Sequence, residues 1–260
     1  MTDTFKDRLK RGELLCGTMV FEFFTPGIAQ IARAAGADFI LYDMEHSGAG
    51  VETMKAQFAH CRGLPIAPLV RVPVNEYSFI ARVLDAGAHG VMVPMVDSVD
   101  DAARAVRSMQ YPPAGRRGSA FGMAHDDYLP GAPVDKVAAA RAKTVLIALI
   151  ETPGGVAAAD DIAALPGVDM LWLGHFDLTN FMGIPGQFEH PDYLAAVDRI
   201  VAAARRHGKP AGFLALDDDW ARRYHAKGFR VLACGLDTQL LQGALRRGID
   251  FLRSLPPGGR

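Results

Sequence analysis

The sequence predicts an α/β fold in which eight parallel strands close into a (β/α)8 barrel. Apolar runs rich in β-forming residues recur eight times in 260 residues, and segments with helical periodicity lie between them. The runs are continuously apolar rather than alternating, which indicates a parallel sheet covered on both faces. Eight such units in this length fit a closed barrel better than an open doubly wound sheet. The open sheet stays as the alternative, because periodicity alone does not establish closure.

Each strand is predicted from one short apolar run. The eight runs cover residues 16–21, 38–43, 68–72, 90–95, 145–150, 169–174, 210–215 and 230–234. The clearest helical segments between them cover residues 26–37, 76–88, 98–110 and 193–208. Gly36, Gly87 and Gly208 stand at the ends of three of these segments, where a residue with positive φ commonly ends a helix.

Residues 111–143 interrupt this regular order. The segment is rich in proline and glycine and lies between the fourth predicted helix and the fifth predicted strand. A long connection in a compact domain usually carries function or an interface, and a surface loop is the alternative. Nothing else in the sequence suggests a domain boundary, so residues 1–260 are predicted to form a single domain.

Composition narrows the class of function. The formal charge of −1 gives no electrostatic footprint for nucleic acid or an anionic membrane. No apolar run has the length of a membrane helix, and the first twelve residues lack the apolar segment of a secretion signal. The three cysteines fit neither a disulfide framework nor a zinc motif. We therefore expect a cytoplasmic protein in which Cys16, Cys61 and Cys234 are buried small hydrophobic residues.

Charged side chains gather at the predicted C-terminal ends of the strands, where barrels of this kind carry their active sites. Such groups are costly to bury beside a barrel core unless they are paired, protonated or bound to metal. The group comprises Asp43, Glu45 and His46 after the second strand, Arg71 on the third, Glu151 after the fifth and Asp177 after the sixth.

Glu151 and Asp177 are candidates for a metal site, because they follow adjacent strands. Carboxylate oxygens without nearby cysteines favour a hard or borderline cation such as Mg²⁺ or Mn²⁺. Spacing alone leaves a second interpretation equally open, in which one of the two carboxylates forms a structural ion pair with Arg71.

His46 is a candidate acid–base group if Asp43 or Asp85 orients its ring, although a lone histidine is more often structural. The acidic run 217–219 after the seventh strand is predicted to cap the next helix. Phosphate-binding barrels usually hold their phosphate near this position, so these carboxylates disfavour a phosphosugar enzyme.

Several motifs together resemble the HpcH/HpaI family of class II, metal-dependent 2-oxo-acid aldolases, similar to the 4-hydroxy-2-oxoheptanedioate and 2-keto-3-deoxy-sugar-acid aldolases. The resemblance covers nearly the whole chain. The motifs are DMEHSG, VRVP, VLDAGAHGVMVPMVDS, YPPAGRRG, IETPGG, GHFDLT and GLDTQLL. The resemblance implies a TIM barrel of the phosphoenolpyruvate/pyruvate type, assembled as a homohexamer whose last helix is exchanged between subunits.

The resemblance also implies roles for single residues. Glu151 and Asp177 match the two metal ligands, for Mg²⁺ or Mn²⁺ with Co²⁺ as a further candidate. Arg71 matches the arginine that stabilises the enolate oxygen, and His46 matches the acid–base histidine. Asp43 and Asp85 match acids that hold the histidine and a water, with Asp85 supplied by a neighbouring subunit. The implied reaction is reversible cleavage of a 4-hydroxy-2-oxo-acid to pyruvate and an aldehyde.

The sequence departs from the family pattern around residue 175. The family's GPAD is GHFD here, so Phe176 replaces a small residue beside the pyruvate methyl group, and hydroxypyruvate becomes a competing donor. Gly174, His175 and Phe176 are predicted to contact the substrate, with backbone amides of 174–177 binding its carboxylate.

Two other functions stay open at this stage. A carbon–carbon lyase for CoA thioesters, of the citramalyl- or malyl-CoA lyase type, would need basic residues for the nucleotide, and the sequence shows no obvious basic cluster. A non-catalytic barrel that binds a small molecule is disfavoured, because it would have no reason to keep His46, Arg71, Glu151 and Asp177 together.

Overall fold

The structure, a computed structural model, describes residues 3–256 and contains a closed barrel of eight parallel strands in chain order. The strands are β1 Leu15–Val20, β2 Phe39–Asp43, β3 Ala67–Arg71, β4 Gly90–Val93, β5 Val145–Ile150, β6 Met170–Leu173, β7 Ala211–Ala215 and β8 Val231–Leu236. Each one coincides with a predicted run, and β1 pairs with both β2 and β8. The predicted (β/α)8 barrel is therefore confirmed, and the open sheet is excluded.

Eleven α-helices accompany the strands in the described part of the chain. They are α1 Phe5–Lys10, α2 Ile28–Ala34, α3 Val51–Cys61, α4 Tyr77–Ala86, α5 Val99–Met109, α6 Pro133–Lys143, α7 Pro153–Ala164, α8 His175–Phe181, α9 Pro191–Arg206, α10 Asp218–Lys227 and α11 Asp237–Ser254. Gly36, Gly87 and Gly208 all have positive φ immediately after helices, as predicted. None of these helices combines the length and the apolar character needed to span a membrane.

The hydrophobic core has two layers. One fills the barrel interior with inward-facing side chains such as Phe39 and Trp172. The other lies between the outer faces of the strands and the surrounding helices. Gly212 faces inward on β7, where a Cβ atom would lie only 2.1 Å from the ring of Trp172. The indole therefore occupies interior space that a side chain on β7 would otherwise fill.

Helix α1 closes the N-terminal end of the barrel. Thr4 caps it, and Phe5 and Leu9 pack into the interior layer. The Nζ of Lys6 donates to the Thr144 carbonyl at 2.8 Å and lies 3.0 Å from Asp169. These contacts anchor the helix to the start of the barrel strands. Active-site chemistry is therefore confined to the opposite, C-terminal end.

The connection 111–143 is more ordered than its composition predicted. Residues 124–126 form a 3₁₀ turn, and residues 133–143 form α6, which runs directly into β5. Pro133 begins this helix, at a position where the missing N–H costs nothing. Only the part before α6 is an irregular loop.

The prediction that all three cysteines are buried is wrong for two of them. Cys61 is buried, whereas Cys16 and Cys234 are exposed, and all three are free thiols. Cys16 on β1 and Cys234 on β8 line an apolar groove of about 520 Å³ on the outside of the barrel. Both thiols are exposed because, in the described part of the chain, no helix fully covers the outer faces of β1 and β8.

Candidate active site

A cavity of about 310 Å³ opens at the C-terminal ends of the strands. Its lining includes most of the predicted site residues, namely His46, Arg71, Glu151, Gly174, His175, Phe176 and Asp177. The barrel topology explains the gathering: the ends of parallel strands that are far apart in sequence meet at one rim.

Arg71 is held by two acids from the segment after β2. Its Nε donates to Oδ1 of Asp43 at 2.5 Å, and its Nη1 lies 2.9 Å from Oε2 of Glu45. Its guanidinium also lies over the ring of Phe21, 5.4 Å from the centroid. No ion pair joins Arg71 to Glu151 or Asp177 within residues 3–256. This arrangement excludes the alternative in which Glu151 or Asp177 forms a structural ion pair with Arg71.

Glu45 belongs to the charged group predicted at the strand ends, but no role was predicted for it from the sequence. It lies between Arg71 and His46, and its Oε2 is buried without the geometry of a true hydrogen bond. Burial raises the pKa of the Glu45 carboxyl. The positive charges of Arg71 and His46 oppose that rise, and the nearby Asp43 and Asp177 carboxylates add to it. Its position in DMEHSG, between two predicted site residues, was the signal that could have identified it.

Asp43 holds the backbone of His46 rather than its ring. The His46 amide donates to Oδ2 of Asp43 at 2.6 Å, and the Ser47 hydroxyl donates to the Asp43 carbonyl at 2.6 Å. The imidazole is exposed, with Nε2 at 3.6 Å from Glu45. The acid within this chain that faces the ring is therefore Glu45, which corrects the expectation that Asp43 orients it.

Glu151 is buried at the point where β5 ends. Its Oε1 accepts from the backbone N–H of Met95 at 2.8 Å. Met95 has a φ of +52°, an uncommon conformation for a residue with a side chain, and such strain tends to cluster at functional sites. The pKa of Glu151 is raised to about 8, mainly by burial; the Glu45 and Asp177 carboxylates add to the rise, and the Met95 amide and Arg71 oppose it.

The residues after Glu151 begin α7 at once. Thr152 caps the helix by accepting from the Gly155 amide at 3.0 Å, and its hydroxyl donates to Asp97 at 2.5 Å. Pro153 occupies the first helical turn, where it is well tolerated. The sequence IETPGG thus places a carboxylate at the barrel rim and anchors the chain immediately behind it.

Asp177 lies in the first turn of α8, which follows Gly174 at the end of β6. A Cβ at Gly174 would lie 2.6 Å from both Cβ and Oε2 of Glu151. Only glycine lets β6 pass this close to the Glu151 carboxylate. The close approach brings Glu151 and Asp177 to the same side of the cavity.

His175 and Phe176 belong to an aromatic wall at the start of α8. The ring of buried His175 lies 4.4 Å from Phe176, 5.0 Å from Phe213 and 5.3 Å from Trp220, measured between centroids. Its Nε2 has no hydrogen-bond partner among residues 3–256, and burial lowers the pKa of the ring to about 3. His175 is therefore a neutral wall residue, and the half-exposed Phe176 presents its ring to the cavity.

The residues fit a divalent cation that takes part of its coordination shell from substrate and water. Glu151 and Asp177 supply oxygen donors, and the Asp177 carboxylate helps to raise the pKa of both Glu151 and Glu45, as expected where a cation belongs. No group of three His, Cys, Asp or Glu side chains in the described residues could enclose a metal by itself. A cation held by two protein carboxylates would keep coordination positions free for a chelating ligand.

Asp85 lies apart from this group within the chain. Its Oδ1 accepts from both Nε and Nη2 of Arg117, at 3.2 and 2.6 Å. Arg117 is buried and stacks over Tyr111, with its guanidinium 4.7 Å from the ring centroid. Arg117, in the loop 111–132, therefore fixes the Asp85 carboxylate. A role for Asp85 at the active site of a neighbouring subunit stays a prediction.

Comparison with known proteins identifies the family. The sequence model of the family described as HpcH/HpaI aldolase/citrate lyase matches residues 18–244. The chain belongs to this family. A hydroxypyruvate/pyruvate aldolase from Roseovarius nubinhibens is 37% identical over 97% of this chain and 98% of its own. A 5-keto-4-deoxy-D-glucarate aldolase from Salmonella arizonae is 36% identical over 88% of this chain and 89% of its own.

A solved structure agrees with this membership. The HpcH/HpaI aldolase from Desulfitobacterium hafniense superposes with a TM-score of 0.93 at 30% identity, covering 100% of both chains. The chain is therefore an enzyme, a carbon–carbon lyase of the aldolase type. Aldolases of this family generally depend on a divalent metal.

Proposed function

We propose that the enzyme reversibly cleaves a 4-hydroxy-2-oxo-acid to an aldehyde and either pyruvate or hydroxypyruvate, with Mg²⁺ or Mn²⁺ as the physiological metal and Co²⁺ as a possible substitute. The observation that supports this most is the arrangement of Arg71, which is fixed by Asp43 and Glu45 beside the two carboxylates Glu151 and Asp177. A cation held by these two carboxylates would share one small cavity with a fixed positive charge.

Glu151 and Asp177 would hold the cation. When bound, the divalent ion supplies Lewis-acid chemistry toward the 2-oxo-acid. Arg71 provides a guanidinium whose orientation is set before the reaction, so its remaining N–H groups stabilise the oxyanion as the enolate forms. The clamp by Asp43 and Glu45 avoids the cost of reorienting the guanidinium during the reaction.

During cleavage the bond between C3 and C4 breaks, and its electron pair passes into the enolate of the donor. The hydroxyl at C4 loses its proton as the aldehyde forms. His46 is the group placed to take this proton, since its ring is exposed at the cavity and faces Glu45. In the synthetic direction the same ring returns the proton to the new alkoxide.

The aromatic wall affects the choice of donor. Phe176 presents a half-exposed ring to the cavity. The backbone amides of residues 175–177, in the first turn of α8, would bind the donor carboxylate, whereas the Gly174 amide already donates to the Ile150 carbonyl at 3.0 Å. The relative from Roseovarius is named for both hydroxypyruvate and pyruvate. We include hydroxypyruvate among the donors on this basis, with the ring of Phe176 acting beside C3.

Assembly is the second part of the proposal. Helix α11 exposes Leu241, Leu245, Ile249 and Leu252, while the apolar groove outside β1 and β8 is open. An exchanged α11 from a neighbouring copy would cover that groove, including Cys16 and Cys234. We therefore expect a homohexamer, with the free cysteines suited to the cytoplasm.

The test is aldol synthesis with purified enzyme stripped by EDTA and resupplied with Mn²⁺. Pyruvate and hydroxypyruvate are each offered with glyceraldehyde, and the products are identified by mass spectrometry. The proposal expects a six-carbon oxo-acid from one or both donors only when metal is present. Equal synthesis in EDTA, or none with either donor across a panel of short aldehydes, would contradict it.

A further inference from the structure

A second cavity, of about 420 Å³, lies at the N-terminal end of the barrel, opposite the active site. It is formed by the ends of α1, α9 and α10 and by the residues that lead into β7 and β8. Its lining includes five cations and no acidic residue; the cations are Lys10, Arg205, Lys209, Lys227 and Arg230. No basic cluster is evident in the sequence because these residues are up to 220 positions apart and only the fold brings them together.

The positive charge in this cavity is only partly compensated. Lys227 pairs with Asp198 at 2.6 Å. Lys209 donates to the Leu165 carbonyl at 2.9 Å, and Arg230 donates to the Phe229 carbonyl at 2.9 Å. Neutral carbonyls hold these side chains in place without cancelling their charge. Lys10 and Arg205 have no acidic partner within 4.0 Å in the described residues.

We propose that this cavity is a binding site for a small polyanion, such as a phosphorylated metabolite. Arginine and lysine donors that converge on one concavity provide charge-assisted hydrogen bonds to phosphate oxygens. The volume lies within the range of small-molecule sites. The chain as a whole carries a formal charge of −1, so the excess of cations belongs to this cavity and not to a generally basic surface.

The site is independent of the aldolase chemistry. The interior layer of packed side chains and α1 lie between the two cavities, so one ligand cannot span both. The basic cavity therefore does not restore the CoA-thioester lyase, because the packed barrel interior lies between a nucleotide bound here and a thioester carbon in the active site. A ligand here is a separate molecule.

Isothermal titration calorimetry with inorganic pyrophosphate tests the site in metal-free full-length enzyme at constant ionic strength. We expect one saturable site per chain. Lys10→Ala combined with Arg205→Ala removes two charge-assisted contacts and should weaken the affinity by at least about tenfold, the loss expected if even one of the two contributes. Both side chains are exposed, so the variant should fold.

Two controls make the result specific. Arg33→Ala combined with Lys55→Ala removes two exposed cations elsewhere and should leave binding unchanged. Arg71→Ala removes the cation of the active site and should also leave it unchanged. The proposal is overturned if the wild-type enzyme shows no saturation, if Lys10→Ala/Arg205→Ala binds as tightly as wild type, or if Arg71→Ala abolishes binding.

Discussion

At the scale of single residues, the site depends on where carboxylates are buried and what each one touches. Asp43 and Glu45 are both engaged with Arg71, whereas Glu151 accepts a hydrogen bond from the Met95 amide and forms no ion pair within residues 3–256. Four acids on one rim would repel one another without such a division. On the proposed function, this division leaves Glu151 and Asp177 for the cation, and Asp43 and Glu45 position Arg71.

Glu151→Gln should remove most of the affinity for Mn²⁺, by at least about tenfold, because the amide keeps the shape of the side chain but loses its charge. The measurement is a calorimetric titration of the EDTA-stripped enzyme. Glu189→Gln, at an exposed position paired with Arg223, is the matched control. Unchanged Mn²⁺ affinity in Glu151→Gln would show that this carboxylate is not a ligand.

Glu45→Gln should lower kcat by about tenfold while leaving Mn²⁺ affinity within about twofold. The reason is that Arg71 loses one of its two ionic partners and with it part of its orientation. Steady-state kinetics measure kcat, and the same calorimetric titration measures the Mn²⁺ affinity. Glu52→Gln, at an exposed position, is the control. A normal kcat would mean that Asp43 alone positions the guanidinium.

Gly174→Ala should displace Glu151, since the new methyl group would lie 2.6 Å from its Oε2. We expect loss of turnover and a decrease in the free energy of unfolding of about 1–3 kcal/mol. Gly154→Ala, whose new Cβ would have contacts of 3.5 Å or longer, should be close to neutral. Similar kinetics and denaturation curves for the two variants would contradict the close-approach argument.

At the scale of elements, the strands and the carboxylates at their ends were predictable and the turns between them were not. Strand runs such as residues 145–150 were evident because a strand buried on both faces must be apolar throughout. The left-handed turn at Met95 and the pairing of Asp85 with Arg117 depend on packing between distant segments. Helix α6 was missed because its first residues follow a Pro/Gly-rich loop.

Helix α11 is the element whose exposed apolar face most needs a partner. Leu245 is 54% and Ile249 43% exposed in the single chain. If a second copy covers them, Leu245→Asp or Ile249→Asp should dissociate the assembly, because a charge would be buried without a partner. Light scattering should change from about six times 28.0 kDa toward smaller species. Lys55→Asp on α3 is the control, and an unchanged mass for the α11 variants would reject the exchange.

At the scale of the whole molecule, stability should depend on pH through buried neutral histidine. The pKa of His175 is about 3 in the folded chain against an ordinary 6.5. Between these values the unfolded chain binds a proton that the folded chain does not. The free energy of unfolding therefore falls as pH drops below about 6.5, by up to about 1.4 kcal/mol per pH unit for this group.

His175→Phe isolates this contribution in metal-free enzyme, since a phenyl ring suits the aromatic wall and cannot titrate. Chemical denaturation at pH 7, 5.5 and 4.5 should show a smaller loss of stability in the variant than in the wild type. Parallel loss in both proteins would mean that His175 is protonated in the folded state.

The most direct test of the account is exchange of the methyl protons of pyruvate in D₂O, followed by proton NMR. Enolate formation at a site built from Arg71, Glu151 and Asp177 predicts rapid exchange when Mg²⁺ or Mn²⁺ is added to EDTA-stripped enzyme. It also predicts no exchange in EDTA and strongly reduced exchange in Arg71→Ala. Exchange of neither pyruvate nor the C3 protons of hydroxypyruvate under any metal condition would contradict enolate chemistry in this cavity.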